Sequence, residues 1–347
     1  MASKDSKSKE MTKFIADIHE KYDVVKEHSS EYISTGIMAL DVATGKGGIP
    51  RAILIDMYGD EGLGKTTMTL TMMAERIRNG EHCAYVDVEH RLRPELIDQI
   101  IPDKSLFHVF EPKDGSAALS TLETMANMKD IRMVAIDSLA ALVMPEMNDP
   151  DKRMEPIAIN ARYISLSVKK LLEPVFRNNT IVIFINQMRI SPMAWGVQKL
   201  PTGPKAVRFN CSLRIKLNGD EDVKSGTEKV GHKLELTIEK NTFGPPWRKA
   251  YVTLMYGEGI DRAADVVDAG VACGVIDKAA SWFTYKEKNE KDEIVSEVKA
   301  HGEKDLLEKL IAAKLLDSVR DRIRAAVIKK NPVIVAPESK PSEEDDD

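Results

Sequence analysis

The fold class of this 347-residue chain is decided by one stretch, AILIDMYGDEGLGKTT, which runs from Ala52 to Thr67. Its first seven residues are apolar apart from one aspartate, and they predict a buried strand that ends at Gly59. The residues from Gly59 to Thr66 match the phosphate-binding pattern GxxxxGK[ST] in full, and a helix is predicted after them as far as Arg78. A strand, this loop and a helix in that order are typical of nucleotide-binding α/β proteins.

The chemistry of the phosphate-binding loop, Gly59 to Thr66, follows from its residue types. Glycines let backbone N–H groups surround phosphate oxygens at a helix N-terminus, where the helix dipole also favours anions. Lys65 is expected to reach the β- and γ-phosphates, and the Thr66 hydroxyl is expected to bind magnesium. The alternative is a glycine-rich turn that binds no nucleotide. The predicted cofactor-binding residues here are Gly59, Asp60, Glu61, Gly62, Leu63, Gly64, Lys65, Thr66 and Thr67.

On either side of this loop, short apolar strands alternate with helical segments. The order predicts a mainly parallel sheet with right-handed crossovers, flanked by helices. Two-residue alternation over Ser212–Leu217 and Leu234–Ile238 predicts additional antiparallel strands. The other predicted strands are Ala84–Val88, Leu106–Phe110, Met133–Ile136 and Ile181–Ile185, and the predicted helices are Pro94–Ile101, Ser116–Met128 and Ile157–Val175.

The two ends of the chain differ from this core. Apolar spacing predicts a helix over Met11–Val25. After Tyr256 the pattern changes to two or three helices, with an aromatic turn at Trp282–Tyr285 and a helical stretch over Lys304–Lys329. The last residues are proline-rich and then acidic, which predicts a disordered tail. The expected divisions are an N-terminal helix and linker at 1–33, a nucleotide-binding core at 34–262, a small C-terminal domain at 263–330 and the acidic tail at 331–347.

Composition excludes several classes of protein. Hydrophobic residues make up 43% of the chain and charged residues 30%, so fibrous and wholly disordered classes are excluded. Apolar runs fall short of the roughly 18 residues that a membrane helix needs, and the N-terminus does not resemble a secretory signal. The three cysteines, Cys83, Cys211 and Cys273, form neither a disulfide framework nor a zinc pattern, so a reducing cytoplasm is expected. The net charge of −5 means that binding to nucleic acid requires a local basic surface.

Two carboxylates follow predicted strands. Asp137 ends Met133–Ile136, where together with the phosphate-binding loop it is expected to hold a magnesium-bound water; the alternative is an aspartate that caps the next helix. Glu89 follows Ala84–Val88, where a carboxylate could act as general base toward a water that attacks the γ-phosphate. The alternative for Glu89 is a solvated carboxylate at a strand end.

An amide and a long loop follow the strand Ile181–Ile185. Gln187 could sense a γ-phosphate and couple it to the next segment, or it could simply satisfy local backbone groups. Residues Met188 to Val207 are expected to form a long functional loop. Its arginine, lysines and glycine suit contact with a phosphate backbone.

Several segments, in this order, resemble one family: STGIMALDVATGKGGIP, GDEGLGKTT, CAYVDVEH, AIDSLAAL, IFINQMR, YGEGI and WFTYK. They resemble the RecA-type strand-exchange recombinases of bacteria and their phages, and they cover roughly Ser34 to Tyr285. The resemblance implies a RecA-like P-loop ATPase core with a mainly parallel twisted sheet flanked by helices. It also implies a short N-terminal helical segment for polymerisation, a small C-terminal α/β domain and two DNA-binding loops.

The resemblance implies a DNA-dependent ATPase that uses ATP and Mg²⁺, forms helical filaments on single-stranded DNA and exchanges strands with homologous double-stranded DNA. Its partners would be DNA and head-to-tail copies of itself, with single-strand-binding and loader proteins as further candidates and no membrane. The location would be the bacterial cytoplasm, or the host cytoplasm for a phage protein. Two alternatives stay open: a hexameric DNA helicase with the same core fold, and a recombination mediator that binds nucleotide without strand exchange.

Residue roles can be carried over where the motifs match. Glu89, Lys65, Gln187 and Lys240 resemble catalytic residues, with Lys240 reaching the γ-phosphate of the neighbouring protomer. Phe209 resembles a residue that packs on the next protomer, and Tyr256 one that lies near the nucleotide base. The implied DNA-binding residues are Arg162, Ser165 and Lys169 in a first segment and Arg189, Thr202, Gly203, Lys205 and Arg208 in a second.

The chain also departs from the family pattern. Arg93 and Leu96 stand where the family has an aspartate and a tyrosine that contact adenine, so adenine recognition is expected to be altered or looser. Thr242 stands where the family has a second interface lysine. The contact with the neighbouring protomer's γ-phosphate would then be made by Lys240 alone, or with the nearby Arg248. Gly203-Pro204-Lys205 replaces a Gly-Gly-Asn sequence, which removes a backbone donor and adds a cation. These differences favour a phage or otherwise divergent member.

Overall fold

The computed structural model of the chain describes residues 31–148, 156–193, 196–289, 291 and 293–330. The predicted N-terminal helix, most of the first DNA-binding loop and the acidic tail lie outside these residues. Among the residues described, none of the helices combines the length and the apolar character needed to cross a membrane.

The described elements follow a β/α order through the core. The strands are β1 (Tyr32–Ile33), β2 (Ile49–Pro50), β3 (Leu54–Gly59), β4 (His82–Asp87), β5 (Phe107–Phe110), β6 (Ile131–Asp137), β7 (Ile181–Met193), β8 (Gly196–Pro201), β9 (Leu213–Ser225), β10 (Glu228–Asn241), β11 (Arg248–Met255), β12 (Gly259–Ile260), β13 (Ile276–Ala279), β14 (Trp282–Lys288) and β15 (Ile294–His301). The α-helices are α1 (Met38–Ala43), α2 (Lys65–Arg78), α3 (Pro94–Ile100), α4 (Gly115–Asn127), α5 (Pro156–Asn178), α6 (Lys205–Asn210), α7 (Arg262–Ala272), α8 (Glu303–Ala312) and α9 (Leu316–Lys330).

The central sheet confirms the predicted, mainly parallel topology. Its strand order is β12-β11-β10-β9-β3-β7-β6-β4-β5, with β8 paired to β7. The strands from β9 to β5 in that order are parallel, whereas β10, β11 and β12 are antiparallel additions. The predicted antiparallel strand Ser212–Leu217 corresponds to β9, which is antiparallel to β10 but parallel to β3. The prediction of an antiparallel strand was therefore correct for the pairing of β9 with β10 and wrong for its pairing with β3.

Strand β3 lies inside the sheet with both faces covered. Ile55 and Met57 belong to one hydrophobic cluster, to which α2 and α3 contribute, and Leu54 belongs to a second one, to which α4 and α5 contribute. Burying side chains of this size contributes about 1.5–3 kcal/mol each. Helices therefore cover both faces of β3. Because the strands from β9 to β5 are parallel, their carboxyl ends all lie at one edge of the sheet, where ligands bind in open α/β folds.

The C-terminal part contains the small sheet β13-β14-β15 and the helices α7, α8 and α9, and their hydrophobic cluster also includes Met38 and Val42 of α1. The predicted aromatic turn at Trp282–Tyr285 was wrong, because these residues begin β14. Phe283 and Tyr285 are buried while Trp282 is 56% exposed, which is the alternation of a strand with one buried face. The predicted helix Lys304–Lys329 was also wrong as a single element: it breaks between α8 and α9, where Lys314 has φ +57°.

The segment Met188 to Val207 was predicted as a long loop, but its described residues form the β7–β8 hairpin and the start of α6. The hairpin pairs Met188 with Pro201 and Met193 with Gly196. The helix α1 was not predicted. The Gly- and Pro-rich sequence around it masked six consecutive helical residues, all of which are buried.

Two buried carboxylates connect α1 with its surroundings. The Asp265 carboxylate, on α7, accepts hydrogen bonds from the backbone N–H groups of Met38 (2.6 Å) and Ala39 (2.8 Å). The Asp41 carboxylate accepts from the Ser34 hydroxyl (2.6 Å) and from the N–H of Thr35 (2.8 Å). Burial raises the pKa of Asp41 from 3.8 to about 6 and that of Asp265 from 3.8 to about 7, although these hydrogen bonds act in the opposite direction.

The raised pKa values predict how stability depends on pH. Between about pH 4 and pH 7 the folded protein binds more protons at Asp41 and Asp265 than the unfolded chain does, so these groups make the free energy of unfolding fall as pH rises. Asp265→Asn should remove a contribution on the order of 4 kcal/mol across this window. Urea unfolding at a series of pH values would show the parent losing stability relative to the variant. The prediction would be contradicted if the free energy of unfolding depended on pH in the same way in the parent and in Asp265→Asn. It would also be contradicted if the exposed Asp277→Asn control changed that dependence by the same amount.

Candidate active site

The phosphate-binding loop connects the end of β3 to the start of α2, as predicted. Gly64, the residue before α2, has φ +77°, a conformation that L-residues with side chains adopt only at a cost. A Cβ at this position would lie 2.3 Å from the Leu254 Cδ1 atom of β11. The positive φ therefore favours glycine here, whereas the Leu254 methyl group is the end of a flexible side chain that can shift.

Lys65 lies within the phosphate-binding loop and is only 8% exposed. Its Nζ donates to the carbonyl oxygens of Gly59 (3.1 Å) and Asp60 (2.7 Å). Burial lowers the pKa of Lys65, and the nearby carboxylates Asp137 and Glu89 act in the opposite direction. The ammonium group is thus held at the mouth of the loop by neutral carbonyl groups, which an anionic phosphate would outcompete.

Thr66 and Asp137 come together across the sheet edge. The Thr66 hydroxyl donates to Asp137 Oδ2 (2.7 Å), and the Tyr85 hydroxyl donates to the same oxygen (2.6 Å). Burial raises the pKa of Asp137, while the two hydroxyl donors lower it. A hydroxyl and a carboxylate side by side are oxygen ligands of the kind that Mg²⁺ prefers, so the donor set fits the ion.

Glu89 lies just beyond β4 and faces two donors from neighbouring strands. Its Oε1 accepts a hydrogen bond from the Ser138 hydroxyl (2.5 Å) and one from the Gln187 amide Nε2 (2.9 Å). The Glu89 side chain is 16% exposed. The structure thus brings Glu89 and Gln187 together and orients the carboxylate through one of its two oxygens.

Gln187 also contacts the base of the β7–β8 hairpin through its backbone. Its carbonyl oxygen accepts hydrogen bonds from the N–H (2.9 Å) and the hydroxyl (3.0 Å) of Thr202. A second contact joins the hairpin to the phosphate-binding loop, because Lys199 Nζ lies 2.8 Å from Asp60 Oδ2. The amide that orients Glu89 is therefore attached to the segment predicted to bind DNA.

The predicted DNA-binding residues lie on three elements. Arg162, Ser165 and Lys169 follow one face of α5, where the arginine and the lysine are exposed. Arg189 lies on β7, and its guanidinium approaches the Ala140 carbonyl (3.5 Å). Thr202 and Gly203 follow β8, and Lys205 and Arg208 are exposed on α6.

The two predicted interprotomer residues lie side by side. Lys240 Nζ donates to the carbonyl oxygens of Phe209 (2.7 Å) and Arg208 (3.3 Å) at the end of α6. Phe209 is 70% exposed, an unusual environment for a phenyl ring in a folded domain. Among the described residues, no hydrogen bond or ion pair joins either of these two residues to Glu89.

Tyr256 begins the turn that precedes β12. A Cβ at Gly259, the first residue of β12, would lie 3.8 Å from the Thr67 methyl group, so this segment passes beside the start of α2. The Tyr256 ring is 49% exposed and lies 5.7 Å from the ring of the buried His232. Leu96 packs against the hydrophobic core, and Arg93 is exposed just before α3.

This arrangement predicts weak discrimination between purine bases. Leu96 offers no hydrogen-bonding group, and an exposed arginine at Arg93 is hydrated and mobile, so neither reads the adenine amino group as an aspartate would. Turnover of ATP and GTP, measured with single-stranded DNA, should agree within about tenfold. A strict preference for ATP would show that other residues recognise the base.

Three residues of the site were missed by sequence reasoning: Tyr85, Ser138 and Arg91. Tyr85 and Ser138 lie in the quoted segments CAYVDVEH and AIDSLAAL, so a closer look at polar residues near the strand ends could have found them. Arg91 carried no such signal, since it is one of several arginines in a polar stretch. Its NH1 lies 3.0 Å from Glu61 Oε1 and 3.7 Å from Glu89 Oε2.

Comparison with known proteins gives the family. The sequence-family model described as the RecA N-terminal domain matches residues 8–261 of this chain. Protein RecA of Campylobacter hominis is 37% identical over 74% of this chain and 74% of its own length. Protein RecA of Campylobacter jejuni (strain 81-176) and that of Helicobacter pylori (strain G27) are each 35% identical over 74% of this chain, and over 75% and 74% of their own lengths. A crystal structure of the RadB recombinase, with 24% identity and a TM-score of 0.49, covers 65% of this chain and 97% of that one.

The chain belongs to the RecA family of strand-exchange recombinases, which are DNA-dependent ATPases. ATP binding, DNA binding and self-assembly come with this membership. The relatives named above are bacterial proteins, so the comparisons do not support the expected phage origin.

Proposed function

We propose that this protein hydrolyses P-loop-bound ATP with Glu89 as general base, and that it couples this step to filaments on single-stranded DNA that exchange strands with a homologous duplex. The observation that carries the proposal is the group around Glu89. Hydrogen bonds from Ser138 and Gln187 orient the carboxylate at the same sheet edge as Lys65 and Asp137. The proposed general base Glu89, the phosphate-binding Lys65 and the proposed metal-binding carboxylate of Asp137 thus lie at the same edge of the sheet.

The chemical step requires an in-line attack of water on the γ-phosphate. The Glu89 carboxylate takes a proton from the water, the water oxygen bonds to the γ-phosphorus, and the bond from that phosphorus to the β,γ-bridging oxygen breaks. The products are ADP and inorganic phosphate. Lys65 neutralises negative charge on the β- and γ-phosphate oxygens, and the backbone N–H groups before α2 orient them.

Thr66 and Asp137 are the residues that would hold Mg²⁺, Thr66 directly and Asp137 through a water. When bound, the ion neutralises charge on the β- and γ-phosphates. The Tyr85 hydroxyl keeps the Asp137 carboxylate in place, since it donates to the same oxygen as Thr66. Water and phosphate oxygens would complete the coordination, which matches the preference of Mg²⁺ for few protein ligands.

Coupling to DNA would run through Gln187. Its side chain contacts Glu89, and its backbone contacts Thr202 at the base of the hairpin. A γ-phosphate that draws the amide away from Glu89 would therefore move the segment that carries Arg189, Gly203, Lys205 and Arg208. The exposed cations of α5 would extend the same phosphate-binding surface, which gives the acidic chain a local basic region for DNA.

Assembly would place ATP between protomers. Phe209, exposed beside Lys240, would pack against a neighbouring protomer, and Lys240 would extend toward that neighbour's γ-phosphate. Thr242 offers no charge at the second position, so the cation from the neighbour would be Lys240, or Lys240 with Arg248. The proposed domain divisions are those expected from the sequence, and the proposed location is the bacterial cytoplasm.

Negative-stain electron microscopy with single-stranded DNA and a slowly hydrolysed ATP analogue tests this function. Open helical filaments, combined with ATP hydrolysis that DNA stimulates, are the expected result. Closed rings would favour the hexameric helicase alternative, and nucleotide binding without DNA-stimulated hydrolysis would favour the mediator alternative. A strand-exchange assay with homologous and unrelated duplexes then tests the recombinase step itself.

A further inference from the structure

Arg91 lies in the open cavity next to Glu89. This cavity has a volume of about 400 Å³, and its polar lining consists of Glu61, Glu89, Gln187, Arg91 and Arg189. The guanidinium of Arg91 lies between the phosphate-binding loop and the general base, 3.0 Å from Glu61 Oε1 and 3.7 Å from Glu89 Oε2. A cation thus faces the position where the γ-phosphate and the attacking water must meet.

The two oxygens of Glu89 have different surroundings. Oε1 already accepts hydrogen bonds from Ser138 and Gln187. Oε2 faces Arg91 at 3.7 Å, a distance too long for a hydrogen bond. Oε2 is therefore the oxygen left to accept a proton from water, and Arg91 is the nearest described cation on that side.

The pairing of Arg91 with Glu61 is easily exchanged. The two side chains are 69% and 76% exposed, and an ion pair in that environment contributes little because water screens it. A triphosphate in the loop carries more charge than one carboxylate, and its oxygens match the planar donors of a guanidinium. ATP binding should therefore move Arg91 from Glu61 to a γ-phosphate oxygen.

We propose that Arg91 contacts the γ-phosphate within its own protomer and stabilises the charge that develops there during hydrolysis. The proposal rests on the proposed function, because it requires the γ-phosphate beside Glu89. The arginine forms no covalent bond, and the atoms transferred are those of the hydrolysis step described above. Its contribution is electrostatic: once ATP is bound, the guanidinium lies where negative charge accumulates in the transition state.

The test compares Arg91→Ala, Arg91→Lys and Arg177→Ala in the full-length chain. Arg177 is a matched control, because its guanidinium is 53% exposed and pairs with Glu173 at 3.0 Å, away from the site. ATPase activity with single-stranded DNA gives kcat and KM. Light scattering with a slowly hydrolysed ATP analogue reports filament assembly independently of turnover.

Arg91→Ala should lower kcat about 10- to 100-fold with KM changed less than about threefold, because the contact strengthens in the transition state. Arg91→Lys should recover part of the loss, and Arg177→Ala should match the parent. Guanidinium chloride at about 20 mM, far below denaturing concentrations, should partly restore Arg91→Ala, whereas sodium chloride at equal ionic strength should not. These variants should still assemble on DNA.

A kcat of Arg91→Ala within twofold of the parent would overturn the proposal. A kcat that falls only in proportion to lost assembly, without rescue by guanidinium, would overturn it too and place Arg91 at a protomer contact. Failure of the proposed function is distinguishable, since Glu89→Gln would then retain turnover whatever the result for Arg91.

Discussion

Replacing Glu89 with glutamine should reduce DNA-dependent ATP turnover by about 100- to 10,000-fold, the usual contribution of a general base. The amide has nearly the same shape and keeps an oxygen that can accept the hydrogen bonds from Ser138 and Gln187. What it lacks is the basicity that takes a proton from water. ATP and DNA binding should therefore stay close to those of the parent, and filaments should become long-lived, because hydrolysis no longer releases DNA.

Single-turnover hydrolysis, ATP binding and DNA binding measured together would check this result. Glu111→Gln is the matched control, since this exposed carboxylate follows β5 at the same edge of the sheet, and it should behave as the parent does. Turnover of Glu89→Gln within a few-fold of the parent would show that Glu89 is only a carboxylate at a strand end.

Lys65→Ala should weaken ATP binding by about 10- to 100-fold, because a charge-assisted contact with the phosphates is lost. DNA binding should then lose its stimulation by ATP. The fold should survive, since the partners that the ammonium leaves behind are two neutral backbone carbonyl groups rather than a charged group.

Equilibrium binding of a fluorescent ATP analogue, with thermal unfolding as a check on the fold, would measure this effect. Lys129→Ala is the control, because it removes an exposed lysine ahead of β6, at the opposite end of that strand from Asp137. Undiminished ATP-stimulated DNA binding by Lys65→Ala would refute the assignment of the loop.

The sequence by itself determined the elements whose signal is local. The apolar run before Gly59 predicted the central strand β3, and the glycines and Lys65 predicted the loop and helix that follow it. The strand-end positions of Glu89, Asp137 and Gln187 could be predicted because parallel strands place their carboxyl ends at one edge. The ordered segments then predicted the family, which the comparisons confirm.

Elements whose pattern of apolar and polar residues is interrupted, or whose buried face depends on other segments, were predicted wrongly. The β7–β8 hairpin was interpreted as a loop because one lysine, one glycine and two prolines interrupt its alternation. Pairing of the two strands, from Met188 with Pro201 to Met193 with Gly196, stabilises it. The segment at Trp282–Tyr285 alternates correctly for a strand, but its buried face is defined by contacts with α7, α8 and α9, which lie outside the segment itself. The break at Lys314 depends on how the last two helices pack against the same cluster.

The tertiary structure alone decided which side chains meet at the site. Ser138 and Gln187 reach the same oxygen of Glu89 only because β6 lies between β4 and β7 in the sheet, and strand order is set by packing over the whole core. The contact of Arg91 with Glu61 has the same origin, since the two residues are 30 positions apart in the chain, whereas Arg91 and Glu89 are only two positions apart. The local sequence determines at which end of a strand a side chain lies. Which other side chains it contacts depends on the order of the strands, and this order is established only when distant segments of the chain pack together.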